Sequence, residues 1–405
     1  MFEIPHYMNK DEYLQVPVLK TFCMEHKLRT TNTKPELIKS IKTFANESEL
    51  NEKETIKWLS PKIKEGSKEF CYKKIYNINP TLYSETVIER YVKEKYPYYR
   101  ERTLFSFNYE KETKCVNYKV LKNGKNELEI ISFTFAKKVL EGEFGSDGNI
   151  SIYPVFIDVY LKEGFIVGRG KAKSTLYEYN EDRFLYKDNR ICTQNYIVAL
   201  IDEIISCFKL STETNVNVIK SDNEKMLYKL FDKYSFTPQP IEECIKEVEN
   251  LNTQYCRELF KRLGLSILNL KGALSDLRIF TEKYVSINGD NEYIFKEDRN
   301  AYLVKMTSDD VQETTHIDTS SSWEKPLQCT EAFFDSKKPI INSKKCQNIN
   351  LCFKRKNRIY FGNNPFIVKF TTKSQYGTFK ITHYAEEVDI QYVLQTIFEN
   401  YWFFK

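Results

Sequence analysis

The chain has 405 residues, 41% hydrophobic and 15% aromatic, which is enough apolar surface to build a core, so global disorder is excluded and two or three domains are expected. Only 13 glycines and 12 prolines are present, which excludes long flexible linkers. The formal net charge of +5 is small for this length, so the distribution of charge carries more information than its sum.

The opening region reads as helical. Leu19, Phe22 and Cys23 recur on one helix face, and Leu28 follows in the connection. Thr33 then opens a second helix. Thr33-Lys34-Pro35-Glu36 has the T-x-x-E spacing of a capping box, in which Thr33 Oγ accepts from the Glu36 N–H. Pro35 is tolerated because first-turn amides lack partners inside the helix. Leu37, Ile41 and Phe44 repeat at helical spacing with Ile38 beside them. A third helix is predicted over 52–60, with Ile56 and Leu59 inward, ended or kinked by Pro61 and followed by a break at Gly66-Ser67.

A helix over 82–96 is stopped by Pro97. The period then changes to two, as Leu104, Ser106 and Asn108 alternate with Phe105, Phe107 and Tyr109. Strands are predicted over 127–135, 150–161 and 165–176. Asn123-Gly124 and Glu163-Gly164 supply turns, giving an antiparallel meander. Helices return over 196–210, 224–234 and 241–263. Strand-like runs follow at 293–296, 301–306, 349–353, 359–361, 366–371 and 378–383. A helix from Glu386 closes the chain, with Val393, Leu394, Ile397, Phe398, Tyr401 and Trp402 as its apolar stripe, an end expected to be docked. No internal repeat or low-complexity tract is present.

These elements predict an α+β fold: a small N-terminal helical module (1–76), a mixed central body of antiparallel strands and helices (77–290), and a strand-rich basic C-terminal region with a terminal helix (291–405). The start lacks the pattern of a signal peptide, and no apolar run approaches the ~20 residues that span a bilayer. The ten cysteines are scattered without a CxxC pair. A soluble, cytoplasmic chain with reduced thiols and no membrane partner is the expectation.

Two segments are basic. Residues 16–77 carry 12 Lys and 1 Arg against 8 acids, and residues 336–385 carry 9 Lys and 2 Arg with no acid. The rest of the chain is therefore net acidic. Local contacts with a polyanion are expected at both segments, against the alternative of lysines that only solvate the surface.

The first segment resembles the SAP family, small helix–turn–helix modules of DNA-binding proteins. The resemblance rests on Leu19-Lys20-Thr21-Phe22-Cys23, Lys27-Leu28, Asn32 to Ile38, and Ile41, and it covers residues 16–45 only. Asn32 stands where the family commonly has a turn glycine, and Asn tolerates a left-handed backbone. The resemblance implies DNA binding. The residues themselves point the same way: Lys27, Arg29, Thr30, Thr33 and Lys34 lie in the connection and at the second helix start, where N–H groups and cations make a phosphate site. Lys20, Lys39 and Lys42 extend it. The alternative is a helical dimerisation or protein-binding module with solvated lysines. In the second segment Lys344, Lys345, Lys354, Arg355, Lys356 and Arg358 flank Phe353, Tyr360 and Phe361, a pattern suited to backbone tracking and base stacking, or to a core strand with a solvated basic hairpin.

Catalytic and metal signatures do not assemble. The four histidines are His6, His26, His316 and His383. His316-Ile317-Asp318 with Ser320-Ser321-Ser322 lacks a nucleophile elbow and reads as a polar loop. Cys329, Cys346 and Cys352 with His316 lack zinc-ligand spacing. Gly168-Arg169-Gly170-Lys171 lacks phosphate-loop spacing and reads as a strand with lysines facing solvent. A metal-dependent nuclease core would pair Asp158 with a Glu-x-Lys on the next strand; Lys171 and Lys173 are there, but Glu163 is a turn residue. No cofactor or metal is expected. The leading reading is a non-catalytic nucleic-acid-binding protein, largely sequence-tolerant and for DNA above RNA, that positions or recruits a partner or self-associates in prokaryotic genome defence or mobile-element biology. The alternatives are a nuclease with a degenerate site and a structural subunit of a complex.

Overall fold

The computed structural model describes residues 2–9, 13–99, 101–105, 110–288, 292–297, 299–309, 316–322 and 325–401. The helices are α1 (Val16–Glu25), α2 (Lys34–Glu47), α3 (Glu49–Lys64), α4 (Glu85–Lys95), α5 (Thr193–Phe208), α6 (Val216–Ser235), α7 (Gln239–Arg262), α8 (Leu270–Ile287), α9 (Ile294–Glu297), α10 (Glu331–Ser343) and α11 (Glu387–Tyr401). The strands are β1 (Glu69–Asn77), β2 (Lys114–Lys122), β3 (Leu128–Glu141), β4 (Asn149–Tyr160), β5 (Phe165–Gly170), β6 (Leu176–Glu178), β7 (Ser211–Thr212), β8 (Ala301–Asp309), β9 (His316–Ser320), β10 (Asn348–Phe353), β11 (Phe366–Thr372) and β12 (Gly377–Ile381). The fold is α+β with a helical N-terminal region. No helix among the described residues is long and apolar enough to cross a membrane.

The chain forms two units, Met1–Lys220 with Arg355–Phe366 and Lys373–Lys405, and Ser221–Lys354 with Ile367–Thr372. The division does not fall at 76 and 290. A cut at 76 would run through β1, which lies in mid-sheet between β5 and β12, both antiparallel to it. The residues of β1 that the sequence left unassigned, Phe70, Cys71 and Tyr72, are all buried. A strand covered on both faces shows no alternation to read.

In unit 1 the strand order is β2-β3-β4-β5-β1-β12. The meander from β3 to β5 is antiparallel, as expected, and β2 extends it antiparallel to β3. Successive β4 side chains point to opposite faces. Val155, Ile157 and Val159 join the core formed with Ile88 and Val92 of α4 and Ile197, Ile201 and Ile204 of α5. Phe156 points the other way and joins Leu19, Phe22, Leu37, Ile41, Leu59 and Ile63 of α1–α3. The N-terminal helices are thus packed on the sheet rather than standing apart. On that same face Phe165 stacks on Phe398 of α11 and the Tyr160 ring packs tilted against it. Gly168 and Gly170 are explained by packing: a Cβ at Gly168 would lie 2.4 Å from Ile197 Cγ2, and one at Gly170 would lie 2.7 Å from the Tyr153 hydroxyl. Their spacing serves the close approach of α5, not a phosphate.

Local departures from the expected elements have local causes. Helix α3 begins at Glu49 because Ser48 Oγ accepts from the Asn51 N–H at 3.1 Å, and it continues through Pro61 to Lys64. The proline sits in the final turns, where its missing N–H removes a single ladder bond. The predicted strand 165–176 divides into β5 and β6. Strand β2 and helices α8 and α10 carried no expectation, and 316–320 is a strand paired with β8 rather than a loop. Residues 294–297 form a helical turn, with the Lys296 and Glu297 N–H groups both donating to the Tyr293 carbonyl. Residues 359–361 turn instead of extending, since Asn357 Oδ1 accepts from the Ile359 N–H. Leu104 and Phe105 form a turn, while Ser106, Phe107, Asn108, Tyr109 and Trp402 lie outside the described residues. In unit 2 the strand order is β11-β10-β8-β9. A small core of Ile241 and Ile245 of α7 with Phe295 and Cys329 lies beside Val285 of α8.

Candidate nucleic-acid interface

The α1–α2 connection is built around a left-handed residue, and that residue is Lys27, with φ 56°, not Asn32. The Lys27 N–H donates to the Met24 carbonyl at 3.1 Å and the Leu28 N–H to the Cys23 carbonyl at 2.7 Å, closing α1 as a left-handed C-cap does. Leu28 packs partly into the core beneath, which leaves Lys27, Arg29 and Thr30 exposed around it. Asn32 instead acts through its side chain: its Oδ1 accepts from Lys20 Nζ at 2.5 Å, tying α1 to the end of the connection.

Thr33 precedes α2, as the capping spacing predicts, but its hydroxyl donates to Glu36 Oε2 at 2.8 Å and makes no side-chain bond to the backbone. Pro35 offers no N–H, and the Leu37 N–H bonds the Thr33 carbonyl at 3.2 Å. Few first-turn amides therefore remain for an anion. Hydrogen bonds from Thr33 and then Thr31, aided by Arg29 and Lys39, hold the Glu36 carboxyl below its ordinary value. An ionised carboxylate thus lies among the cations of the predicted phosphate site.

Of the eight residues expected in this first set, Lys27, Arg29, Thr30, Thr33 and Lys39 are exposed. Lys20, Lys34 and Lys42 are half-buried, and Lys42 is ion-paired with Glu3. Seven of the eight lie in the connection or on α2, and Lys20 is tethered to the connection through Asn32, so the structure brings the set to one region of unit 1. Glu36 and Asn32 entered the sequence reading as cap and turn residues. No local pattern marks the Lys20–Asn32 bond, whose partners are 12 positions apart.

The second basic set does not assemble in this way. Lys344, Lys345 and Lys354 belong to unit 2, whereas Arg355, Lys356 and Arg358 belong to unit 1. Lys345 lies 3.6 Å from Glu224, and Lys354 Nζ donates to the Glu297 carbonyl at 2.9 Å. Lys344 is an exposed left-handed cap of α10. Arg355 is only 7% exposed: its Nε donates to the Asn364 carbonyl at 2.6 Å, and Nη1 lies 3.5 Å from Asp389. It cannot meet a phosphate. The aromatics are also engaged. Phe353 is core, Lys62 lies over the Tyr360 ring, and Arg355 lies over Phe361. Lys356 and Arg358 remain exposed.

Asp158, the acid a nuclease would need, is an interior ion-pair partner. Arg169 Nη2 donates to it at 3.2 Å, and Lys64 Nζ lies 3.8 Å away while donating to Ser132 Oγ. Arg169 also makes a two-pronged bond to Glu387 of α11, at 2.6 and 3.0 Å. Burial alone would raise both carboxyls. Lys64 and Arg169 outweigh it at Asp158, and Arg169 does so at Glu387, so both stay below their ordinary values. Lys171 is buried and Lys173 is ion-paired with Glu141, so neither faces solvent as expected. Among the described residues no group of three or more His, Cys, Asp and Glu side chains is placed to hold a metal ion. No known family model, curated protein or solved structure matches this chain.

Proposed function

We propose that the chain binds nucleic acid, DNA above RNA, through the α1–α2 connection and the first turns of α2, and so positions or recruits a partner. The observation that carries this reading is the group Lys27, Arg29, Thr30 and Thr33, exposed on a connection braced from below by Leu28 and across by the Lys20–Asn32 bond, with Lys39 exposed on α2 beyond it. Cations on a firm support contact phosphates without reading bases, so binding is sequence-tolerant and salt-sensitive. The preference for DNA rests on the SAP-like residues, and the genome-defence or mobile-element setting on composition alone.

The test is anisotropy titration of duplex DNA, single-stranded DNA and RNA across a salt series. Changing Lys27, Arg29 and Lys34 together to Ala is expected to weaken binding alike for every sequence. Each lost phosphate contact lowers the slope of log K on log salt by about 0.9 on duplex DNA. Equal binding by the triple variant would refute the assignment. The nuclease alternative loses its acid to the Arg169 network; Mg²⁺- or Mn²⁺-dependent plasmid nicking abolished by Asp158→Asn would restore it.

A further inference from the structure

Exposed large apolar side chains concentrate on one element of unit 2. Helix α7 already has a packed stripe, Ile241, Ile245, Cys256 and Phe260. It carries a second one that the described residues leave open: Leu251, Tyr255 and Leu259, at four-residue spacing, are 65, 59 and 37% exposed. The turn into α8 continues it with Leu265, Ile267 and Leu268, the last 90% exposed. An amphipathic helix needs one apolar stripe to join its core, so a second stripe calls for a partner.

The charges on α7 say which partner. Glu243, Glu247 and Glu249 are exposed in its first half with only Lys246 against them, and Arg257, Lys261 and Arg262 in its second with only Glu258, which pairs with Arg262, so the two halves carry opposite net charge. We infer that α7 and the turn that follows it form the contact surface for a second copy of this chain, the two α7 helices lying antiparallel. With the two-fold axis between Leu251 and Tyr255, the Leu251 of each copy meets the other's Tyr255. Glu243 comes level with Leu263 and Glu247 with Leu259, so both lie within about one helical turn of Lys261 and Arg262 across the axis, twice. The apolar turn reaches the level of Phe236, which is exposed just ahead of α7. A parallel pair would instead set like charges side by side. One self-complementary surface closes under two-fold symmetry, the commonest assembly. Helix α8 packs beside α7 and exposes Phe280 and Tyr284, and a face of these two helices about 36 Å long and about 20 Å wide would offer roughly 700 Å² per copy, near the ≈ 800 Å² that each partner of a standard interface buries.

Sedimentation equilibrium of the full chain, freed of nucleic acid, tests this. The expected species has twice the 48.1 kDa chain mass. Leu251→Glu with Tyr255→Glu is expected to weaken association about 100-fold or more, with the circular dichroism spectrum retained because both side chains are exposed. A charge arm does not depend on the apolar stripe. Glu243→Lys with Glu247→Lys, and separately Lys261→Glu with Arg262→Glu, each set like charges together and are expected to weaken self-association about 10-fold or more. An equimolar mixture of those two variants restores attraction at both ends and is expected to dimerise. A wild-type chain that stays monomeric up to about 100 µM, an apolar-stripe variant that associates like wild type, or a charge-variant mixture that stays monomeric would each overturn the proposal.

Discussion

Two regions of unit 1 use cations in opposite ways. The α1–α2 connection and the first turns of α2 present Lys27, Arg29 and Lys39 to solvent, with Glu36 among them. The root of α11 takes cations inside: Arg169 is buried against Asp158 and Glu387, and Arg355 against Asp389. Exposed charges are available to a polyanion and contribute little to stability, because water screens them. Buried charges are unavailable to any ligand, yet their loss strands their partners in a medium of low dielectric. Local composition does not distinguish the two cases. Arg355 sits in the same lysine-rich run as Lys356 and Arg358, and what sets it apart is Asp389, 34 residues further along.

The largest expected effect breaks the inward-facing region. Arg169→Met leaves Asp158 and Glu387 without their shared guanidinium, and is expected to lower unfolding free energy by about 3–5 kcal/mol, read from urea denaturation. The deficit should depend on pH. Both carboxyls have folded-state pKa values below their unfolded ones. Their contribution is therefore complete above the unfolded values near 4 and is lost as pH falls through the folded ones. In the variant those carboxyls protonate more readily, so the gap to wild type is widest at neutral pH and narrows below about pH 4. A gap independent of pH would show that Arg169 acts by packing alone.

Arg355→Met sharpens the comparison at lower amplitude. It removes the bond to the Asn364 carbonyl and the contact with Asp389, and a loss of about 1–3 kcal/mol is expected. Arg358→Ala, from the same run, is expected to stay within about 0.5 kcal/mol of wild type, since its side chain is exposed. Equal losses from the two would erase the distinction between inward and outward cations.

How far this organisation could be read from sequence follows from the range of the interactions involved. The meander, the stripes of α1, α2 and α11 and the Gly164 turn are local patterns of period, and they were legible. Strand β1 was not, because its two faces are covered by elements distant in sequence: Cys71 and Ile75 join the core with Ile197 and Ile201 of α5, and Tyr72 packs edge-on to Tyr401 of α11. Arg169 and Asp158 were visible as residues, but their common partner Glu387 is 218 positions from Arg169. The left-handed position of the connection fell on Lys27 rather than Asn32, since the family pattern marks a glycine where this chain places a hydrogen-bonding clamp.

Within the outward-facing region, Glu36 provides the next test. Its carboxylate is held ionised first by the Thr33 and Thr31 hydroxyls, so it opposes any phosphate approaching Arg29 and Lys39. Glu36→Gln keeps the shape and removes the charge. Affinity for duplex DNA at low salt is expected to rise about 3- to 10-fold, with a much smaller gain at high salt where the repulsion is screened. Unchanged affinity would place the phosphates elsewhere.

The smallest effect separates the two demands on Lys27. A lysine at φ 56° holds a backbone conformation that glycine adopts without penalty. Lys27→Gly is therefore expected to stabilise the chain by about 0.5–1 kcal/mol, through relief of strain at the α1 cap. If Lys27 contacts phosphate, the same change must cost one counterion's worth of salt dependence, about 0.9 in the slope on duplex DNA. Stability and binding would then move in opposite directions at one residue. Should both rise, or the slope hold, the cation at Lys27 has no part in binding, and the interface would have to be sought along α2, at Lys34 and Lys39.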